Sequence, residues 1–188
     1  MASEKIDRRV RRTRTLLLQG LIQLMKEKDI KDISVKELSD LVDINRGTFY
    51  LHYNDIYDMV GKLEDELFME FNDILDRNLS EKNRTISHET VLFDIFTFLE
   101  KHRALAQVMI GPHGDLAFIN RLKELVKTRI QHILDSTDSQ QNHEYFYAFI
   151  VSGYIGVIEN WLNHPAPPSP KEMVGICNSL LPKSLTGQ

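Results

Sequence analysis

The chain has 188 residues, 42% of them hydrophobic, and a net charge of −4. The apolar fraction excludes global disorder, and the length allows one large domain or two small ones. Cys177 is the only cysteine, which excludes an intramolecular disulfide and a cysteine-based zinc site and fits a cytoplasmic protein. We expect no signal peptide and no membrane span, because the longest uncharged apolar stretch, 145–158, is shorter than the roughly 20 residues that a span needs.

The charges are unevenly distributed along the chain. Residues 1–26 carry seven Lys or Arg against two acidic side chains, whereas residues 63–188 carry 11 basic and 17 acidic side chains. A basic end on an acidic body indicates that this end meets a polyanion. A solvated charged tail is the alternative that charge alone leaves open.

The spacing of apolar residues predicts an all-α fold of about nine helices. From residue 55 onward, Ile56, Met59 and Leu63 begin a run of three- and four-residue steps, which is the period of an amphipathic helix. The predicted helices span 7–28, 34–42, 46–52, 55–78, 88–101, 103–110, 115–134, 143–163 and 170–181. Polar or Gly-Pro segments separate them.

Three helix starts are marked by capping residues. Ser34 followed by Glu37 is a capping box, and Ser169 followed by Glu172 is a second one with proline at the first helical position. Asn45 is a candidate cap for the third helix. The three residues 43–45 are too few for anything but a turn, so the sequence predicts a helix, a tight turn and another helix.

The segment 143–163 is apolar almost all round. Its only acidic residues are Glu144 and Glu159, and it has no Lys or Arg. Such a helix must be buried on nearly every side, and in so short a chain one side is predicted to face a second subunit. The predicted homodimer interface comprises Gly153, Tyr154, Gly156, Val157, Trp161 and Met173.

The segment 38–60, LSDLVDINRGTFYLHYNDIYDMV, closely resembles the helix-turn-helix of TetR-family transcriptional regulators. The run Gly47-Thr48-Phe49-Tyr50 followed by His52-Tyr53 carries this resemblance, and a long amphipathic helix follows directly. Residues 153–173 resemble the dimerisation helices of one branch of that family. The resemblance implies a three-helix DNA-binding domain at 1–53 that extends into the helix at 55–78. It also implies a ligand-sensing and dimerisation domain at 55–188.

The resemblance further implies that the second helix of the motif enters the major groove of operator DNA. Arg46 can then pair bidentately with guanine. The motif residues implied to contact DNA are Ser34, Val35, Lys36, Asn45, Arg46, Gly47, Thr48, Tyr50 and His52. Five arginines ahead of the first apolar stripe are predicted to bind phosphates: Arg8, Arg9, Arg11, Arg12 and Arg14. Phe49 and Tyr53 are predicted to be core residues.

Two features depart from the family pattern. Ile56 stands where many members have a phosphate-binding lysine, and residues 34–54 contain three acidic and two basic side chains. Both features favour an alternative, in which the chain keeps the TetR shape but acts as a co-activator through a protein partner. No nucleophile elbow, phosphate loop or HExxH motif occurs, so the sequence predicts no enzyme, no metal site and no cofactor.

The middle region is rich in aromatic residues. They are either core residues or the lining of a pocket for a small organic ligand. The candidates for the pocket are Phe68, Phe71, Phe93, Phe96 and Phe118. The family resemblance implies that the chain is a ligand-responsive repressor or, less often, an activator.

Overall fold

The computed structural model describes residues 2–79, 88–134 and 143–180. Within these ranges the regular structure consists of helices, which confirms the all-α prediction. The helices are α1 (Ala2–Met25), α2 (Val35–Leu41), α3 (Arg46–Tyr50), α4 (Ile56–Leu79), α5 (His88–Lys101), α6 (Arg103–Ile110), α7 (Leu116–Leu134), α8 (His143–Asn163) and α9 (Pro170–Leu180). A short 3-10 turn, Ile30–Asp32, follows α1. Among the described residues no helix is long and apolar enough to cross a membrane.

The main difference from the predicted boundaries lies in α1. This helix begins at Ala2 instead of residue 7, because residues 2–19 contain neither glycine nor proline to interrupt it. It ends at Met25, where the backbone N–H groups of Glu27 and Lys28 both donate to the carbonyl of Leu24. The arginines at positions 8–14 lie within this helix, as they do in the predicted span 7–28.

The described residues pack into two compact units. The first runs up to Glu66 and includes Val108–Asp115, the end of α6 and the turn that follows it. The second contains Leu67–Gln107 and the described residues from Leu116 onward. The boundary at 66/67 falls inside α4, so one continuous helix contributes to both units.

In the first unit, α1 packs against α2, and α2 packs against α3. Gly20 sets the distance between α1 and α2, since a Cβ at this position would lie 2.4 Å from Val42 Cγ1 and 2.9 Å from Leu38 Cδ1. Any side chain at position 20 would push these two helices apart. The buried apolar residues of this unit include Leu17, Leu21, Leu24, Met25, Ile33, Leu38, Phe49, Tyr53, Ile56, Met59, Val60, Leu63, Val108 and Met109.

In the second unit, polar side chains connect α4 to its neighbours. Glu70 of α4 accepts hydrogen bonds from Lys101 Nζ at 2.5 Å and pairs with His102 Nε2 at 2.9 Å. Further along α4, Asp76 accepts from Arg129 of α7 at 2.6 Å. These contacts connect the second half of α4 to the end of α5 and to α7.

The end of α8 is anchored by Arg103, the first residue of α6. Its guanidinium donates to the carbonyls of Trp161 at 2.8 Å and Leu162 at 2.6 Å, and it lies 4.8 Å from the centre of the Trp161 ring. Carbonyls at a helix C-terminus lack partners within the helix, and a cation there also suits the helix dipole. Phe96 packs edge-on against the same indole, whose Nε1 donates to Pro168 O at 2.8 Å. Trp161 is therefore held facing inward.

Candidate nucleic-acid interface

The start of α2 is fixed by Ser34. Its hydroxyl accepts a hydrogen bond from Glu37 N at 3.1 Å, which confirms Ser34 as the N-cap. The Glu37 side chain does not complete the predicted capping box, because it accepts from Lys28 Nζ at 2.6 Å instead. This ion pair offsets one of the three acidic charges that the motif carries in the sequence.

The turn between α2 and α3 is short and depends on one unusual backbone conformation. Asp43 has a φ of 52°, in the left-handed region, where Asp is tolerated better than most residues. Ile44 N then bonds back to Ser39 O at 2.9 Å. Asn45 caps α3, its Oδ1 accepting from Gly47 N at 2.7 Å, as predicted. The two short helices are thus held by hydrogen bonds that are local in the sequence.

One side of α3 is buried and the other faces solvent. Phe49 is fully buried and Tyr53 nearly so, which confirms both as core residues. The opposite side, called the recognition face below, consists of Asn45, Arg46, Gly47, Thr48, Tyr50 and Leu51, most of them exposed. Tyr50 and Leu51 are 57% and 81% exposed. Leu51 is a residue that the sequence reasoning did not select, although its place two residues after Phe49 was a usable signal.

The absence of a side chain at Gly47 has a local structural reason. A Cβ at this position would lie 3.1 Å from Asn45 Oδ1, the oxygen that caps the helix. The absent side chain therefore protects the cap and also leaves the backbone accessible. Of the remaining predicted contact residues, Lys36 is exposed, whereas Val35 and His52 are half-buried.

The five predicted phosphate-binding arginines fall into two groups. Arg8, Arg9, Arg11 and Arg12 are exposed on α1. Arg14 lies on the side of α1 that carries Leu17 and pairs with Glu66 of α4. Hydrogen bonding to the Tyr53 side chain, and secondarily to Glu66, raises the pKa of Arg14. This arginine ties α1 to the segment after α3, a role the sequence did not reveal.

The start of α4 contains a buried apolar residue and a nearby cation. Ile56, at the family's lysine position, is only 4% exposed and belongs to the core. Lys62 lies further along α4, and its Nζ is 2.8 Å from Asp58 Oδ2 and 3.3 Å from the backbone oxygen of His52. The ammonium of Lys62 holds the pKa of Asp58 below its usual value. The ammonium of Lys62 therefore lies beside His52, just after α3. Position 62 is outside the helix-turn-helix motif, so comparison of the motif alone does not reveal this cation.

The first unit also contains an open cleft of about 550 Å³. On one side of it, His113 Nδ1 of the turn after α6 lies 2.7 Å from Asp29 Oδ1. This hydrogen bond, followed by one from Lys31, lowers the pKa of Asp29. The lining residues are Asp29, Ile30, Lys31, Tyr57, Val60, Gly61, Glu64, Pro112, His113, Gly114 and Asp115. Among the described residues no group of His, Cys, Asp or Glu is placed to hold a metal ion.

In the second unit, α8 presents an apolar stripe to solvent. Tyr145 and Phe149 are 74% and 70% exposed. Gly153 and Gly156 continue the same line, and a Cβ at either would meet no atom within 4 Å. These four residues are called the α8 face below. On α9, Ile176 and Leu180 are also exposed.

The remaining predicted interface residues are less exposed. Trp161 and Met173 are 2% and 4% exposed, so they belong to the core of their own subunit. The Tyr154 hydroxyl lies 2.6 Å from His88 Nε2, and burial raises the pKa of this phenol. Val157 is half-buried. The sequence of α8 is apolar on nearly every side, so periodicity alone could not distinguish its buried side from its exposed side. The buried side is fixed by contacts such as those of Arg103 with the end of α8.

The five aromatic residues proposed for a ligand pocket occupy different environments. Phe96 and Phe118 are buried, and Phe71 packs near Phe98 with ring centres 6.1 Å apart. Phe68 lies beneath the guanidinium of Arg121, 3.8 Å from the ring centre. Phe93 is 45% exposed. A ligand pocket in this region stays a prediction.

Comparison with known proteins adds independent information. Residues 86–183 match a TetR-type family model described as the transcriptional regulator C-terminal region. The uncharacterized HTH-type transcriptional regulator YxbF of Bacillus subtilis (strain 168) is 26% identical over 162 residues, which are 81% of this chain and 40% of that protein. The chain therefore spans less than half the length of this relative.

Two solved structures are similar over nearly their whole length. A TetR transcriptional regulator from Streptococcus agalactiae 2603V has a TM-score of 0.61 at 19% identity, covering 95% of this chain and 98% of its own. Native NalD of Pseudomonas aeruginosa, described as the secondary repressor of the MexAB-OprM multidrug efflux pump, has a TM-score of 0.65 at 15% identity, with 90% and 94% covered. At these identities the likeness shows the fold.

Proposed function

Because the chain belongs to the TetR family of transcriptional regulators, we propose that it binds operator DNA as a homodimer and represses transcription until a small organic ligand releases it. Members of this family are regulators and not enzymes. The observation that carries the proposal is α3, capped by Asn45 and buried through Phe49, with Arg46, Gly47 and Thr48 on the opposite side. A helix held in this way can enter a major groove without losing its core contacts.

Affinity and sequence discrimination are assigned to different residues. Arg46 pairs with a base edge, where a guanidinium can reach both acceptors of guanine. Arg8, Arg9, Arg11 and Arg12 bind phosphates and supply affinity for any sequence. Ser34, Lys36, Tyr50 and His52 contact the backbone of the DNA, as the family resemblance implies. Arg14 leaves this set, since Glu66 and Tyr53 hold it.

Dimerisation is assigned to the α8 face with Ile176 and Leu180 of α9. Exposed aromatic side chains beside open glycines suit a close helix–helix contact between two copies. A twofold dimer presents two recognition faces to half-sites about 34 Å apart, one turn of DNA. A ligand that binds better to a dimer whose two DNA-binding domains are spaced differently shifts the population away from the DNA-binding form.

The test is selection of bound sequences from random DNA with the purified full chain, followed by titration of the selected duplex at several salt concentrations. We expect an enriched sequence with two related half-sites, and an affinity that falls steeply as salt rises. A protein that enriches no sequence and shows no salt-dependent DNA binding refutes the proposal. That outcome favours the co-activator alternative, whose support from motif acidity is weakened by the Lys28–Glu37 pair.

A further inference from the structure

Leu51 is the most exposed of the large apolar side chains on the recognition face, at 81%. The helical backbone continues through it, with φ −72° and ψ −17°, and Tyr53 N bonds to Phe49 O at 3.1 Å. Residues two apart on a helix point about 200° away from each other. Leu51 is two residues from both Phe49 and Tyr53, the buried pair, so it lies at the centre of the outward side.

Leu51 also shares a line with Gly47, four residues earlier. The absent side chain at Gly47 lets this side of the helix come close to whatever it meets. The next side chain on that line is then the leucine. Its neighbours Thr48 and Tyr50 add a methyl group and a ring, so an apolar strip runs beside the charged Arg46.

We infer that Leu51 reads thymine in the operator through the thymine methyl group. This inference rests on the proposed DNA binding by α3. Among base edges in the major groove, the C5 methyl of thymine is the apolar feature, so it is the group that an exposed leucine can bury there. Leucine offers no hydrogen bond, and so Leu51 discriminates by the presence of a methyl group and not by the donor and acceptor pattern.

The experiment removes the methyl group from either partner. In the selected operator, each thymine is replaced in turn by deoxyuridine, which lacks only the C5 methyl, and binding is measured with the wild-type chain and with Leu51→Ala. One thymine per half-site is expected to lose affinity about fourfold with the wild type, the worth of one buried methyl-sized group. Leu51→Ala should lose no further affinity at that same position.

Leu41→Ala is the matched control, since Leu41 is a 41%-exposed leucine of the same motif at the end of α2. It should keep the deoxyuridine penalty. Leu51→Ala should melt at the wild-type temperature, because the side chain is exposed, and should keep the wild-type salt slope, because no phosphate contact is lost.

The inference fails if no deoxyuridine substitution weakens wild-type binding, if Leu51→Ala retains the full penalty, or if the contacted half-site contains no thymine. In each of these cases the operator still binds, so the proposed function stands without it. If no DNA binds at all, both fall together.

Discussion

The recognition face and the α8 face both leave large side chains exposed, and the proposed function assigns them to different kinds of partner. The recognition face is narrow, carries Arg46, and stands on helices of seven and five residues held by caps at Ser34 and Asn45. The α8 face belongs to a helix of 21 residues and presents rings and open glycines, and the only acidic residues of that helix are Glu144 and Glu159. A hydrated polyanion suits the first surface, whereas a dry contact suits the second. Added salt should therefore weaken binding at the recognition face more than at the α8 face. A new charge should weaken binding most at the α8 face.

The largest effect is expected from a charge placed on the α8 face. If the chain forms the proposed dimer, Gly156→Glu should turn it into a monomer at micromolar concentration in sedimentation, with the dissociation constant raised at least about 100-fold. An unpaired buried charge costs about 3–5 kcal/mol, and the added side chain also blocks close approach. Gly61→Glu is the control, because Gly61 is another helical glycine with open space around it. A dimer unaffected by Gly156→Glu would place the interface elsewhere.

The next effect separates the two kinds of DNA contact. Arg46→Ala should weaken operator binding by about 1–3 kcal/mol per half-site and change random-DNA binding less. Arg8→Ala with Arg12→Ala should weaken both DNAs alike and flatten the salt slope by about 0.9 per lost phosphate contact. Fluorescence anisotropy at several salt concentrations measures both quantities.

Arg14→Ala serves as the matched control for the arginine pair. It removes the same charge from the same helix, but from the side that faces Glu66. Its salt slope should stay near that of the wild type. Equal losses on operator and random DNA for Arg46→Ala and for the arginine pair would contradict the division of labour.

A smaller effect is expected at the turn that orients the recognition face. With a φ of 52°, Asp43 has a conformation that glycine adopts freely and alanine does not. Asp43→Ala should therefore be about 1 kcal/mol less stable than Asp43→Gly, as urea denaturation of the two variants would show. The dimer should be unaffected by either. Equal stabilities would mean that this turn relaxes to another conformation.

The smallest effect concerns one carboxylate in each unit that lies near a histidine and a lysine. Asp29 pairs with His113 and Lys31, and Glu70 with Lys101 and His102. Both carboxyl pKa values are lowered from ordinary values of 3.8 and 4.5, by His113 first for Asp29 and by Lys101 first for Glu70. A lowered pKa stabilises the folded state above the ordinary value, and this contribution disappears as the pH falls through the folded one.

Asp29→Asn and Glu70→Gln should therefore lower the urea midpoint slightly at pH 7, and by less as the pH falls below the ordinary values of 3.8 and 4.5. The Asp29 and Glu70 side chains are 45% and 40% exposed, so the difference should shrink in high salt. If the urea midpoint of either variant falls as much at pH 3 as at pH 7, its carboxylate stabilises the fold through packing and not through charge.

The features that were predictable from the sequence are those set by neighbouring residues. The caps at Ser34, Asn45 and Ser169 depend on groups within three positions, and the structure contains all three. The burial of Phe49 and Tyr53 follows from a period that a helix imposes. The all-α class follows from the same period repeated along the chain.

The features that the sequence did not predict depend on partners far along the chain. Trp161 faces inward because Arg103, 58 residues earlier, caps the end of its helix. Arg14 is held by Glu66, 52 residues away, and Glu37 is taken by Lys28 and so does not close the capping box. Side chains with several possible partners are assigned by tertiary packing, which a helical period does not encode.

The turn after α6 gives the first unit a discontinuous chain. Residues 108–115 complete the first unit only after roughly 40 residues of the second unit have been synthesised. The hydrogen bond between Asp29 and His113 therefore cannot form until part of the second unit has left the ribosome. A chimera that joins only residues 1–66 to the second unit of a relative would lack His113. A chimera meant to preserve the first unit should therefore contain both 1–66 and 108–115. It should keep Gly114, since a Cβ there would lie 2.0 Å from Met109 O.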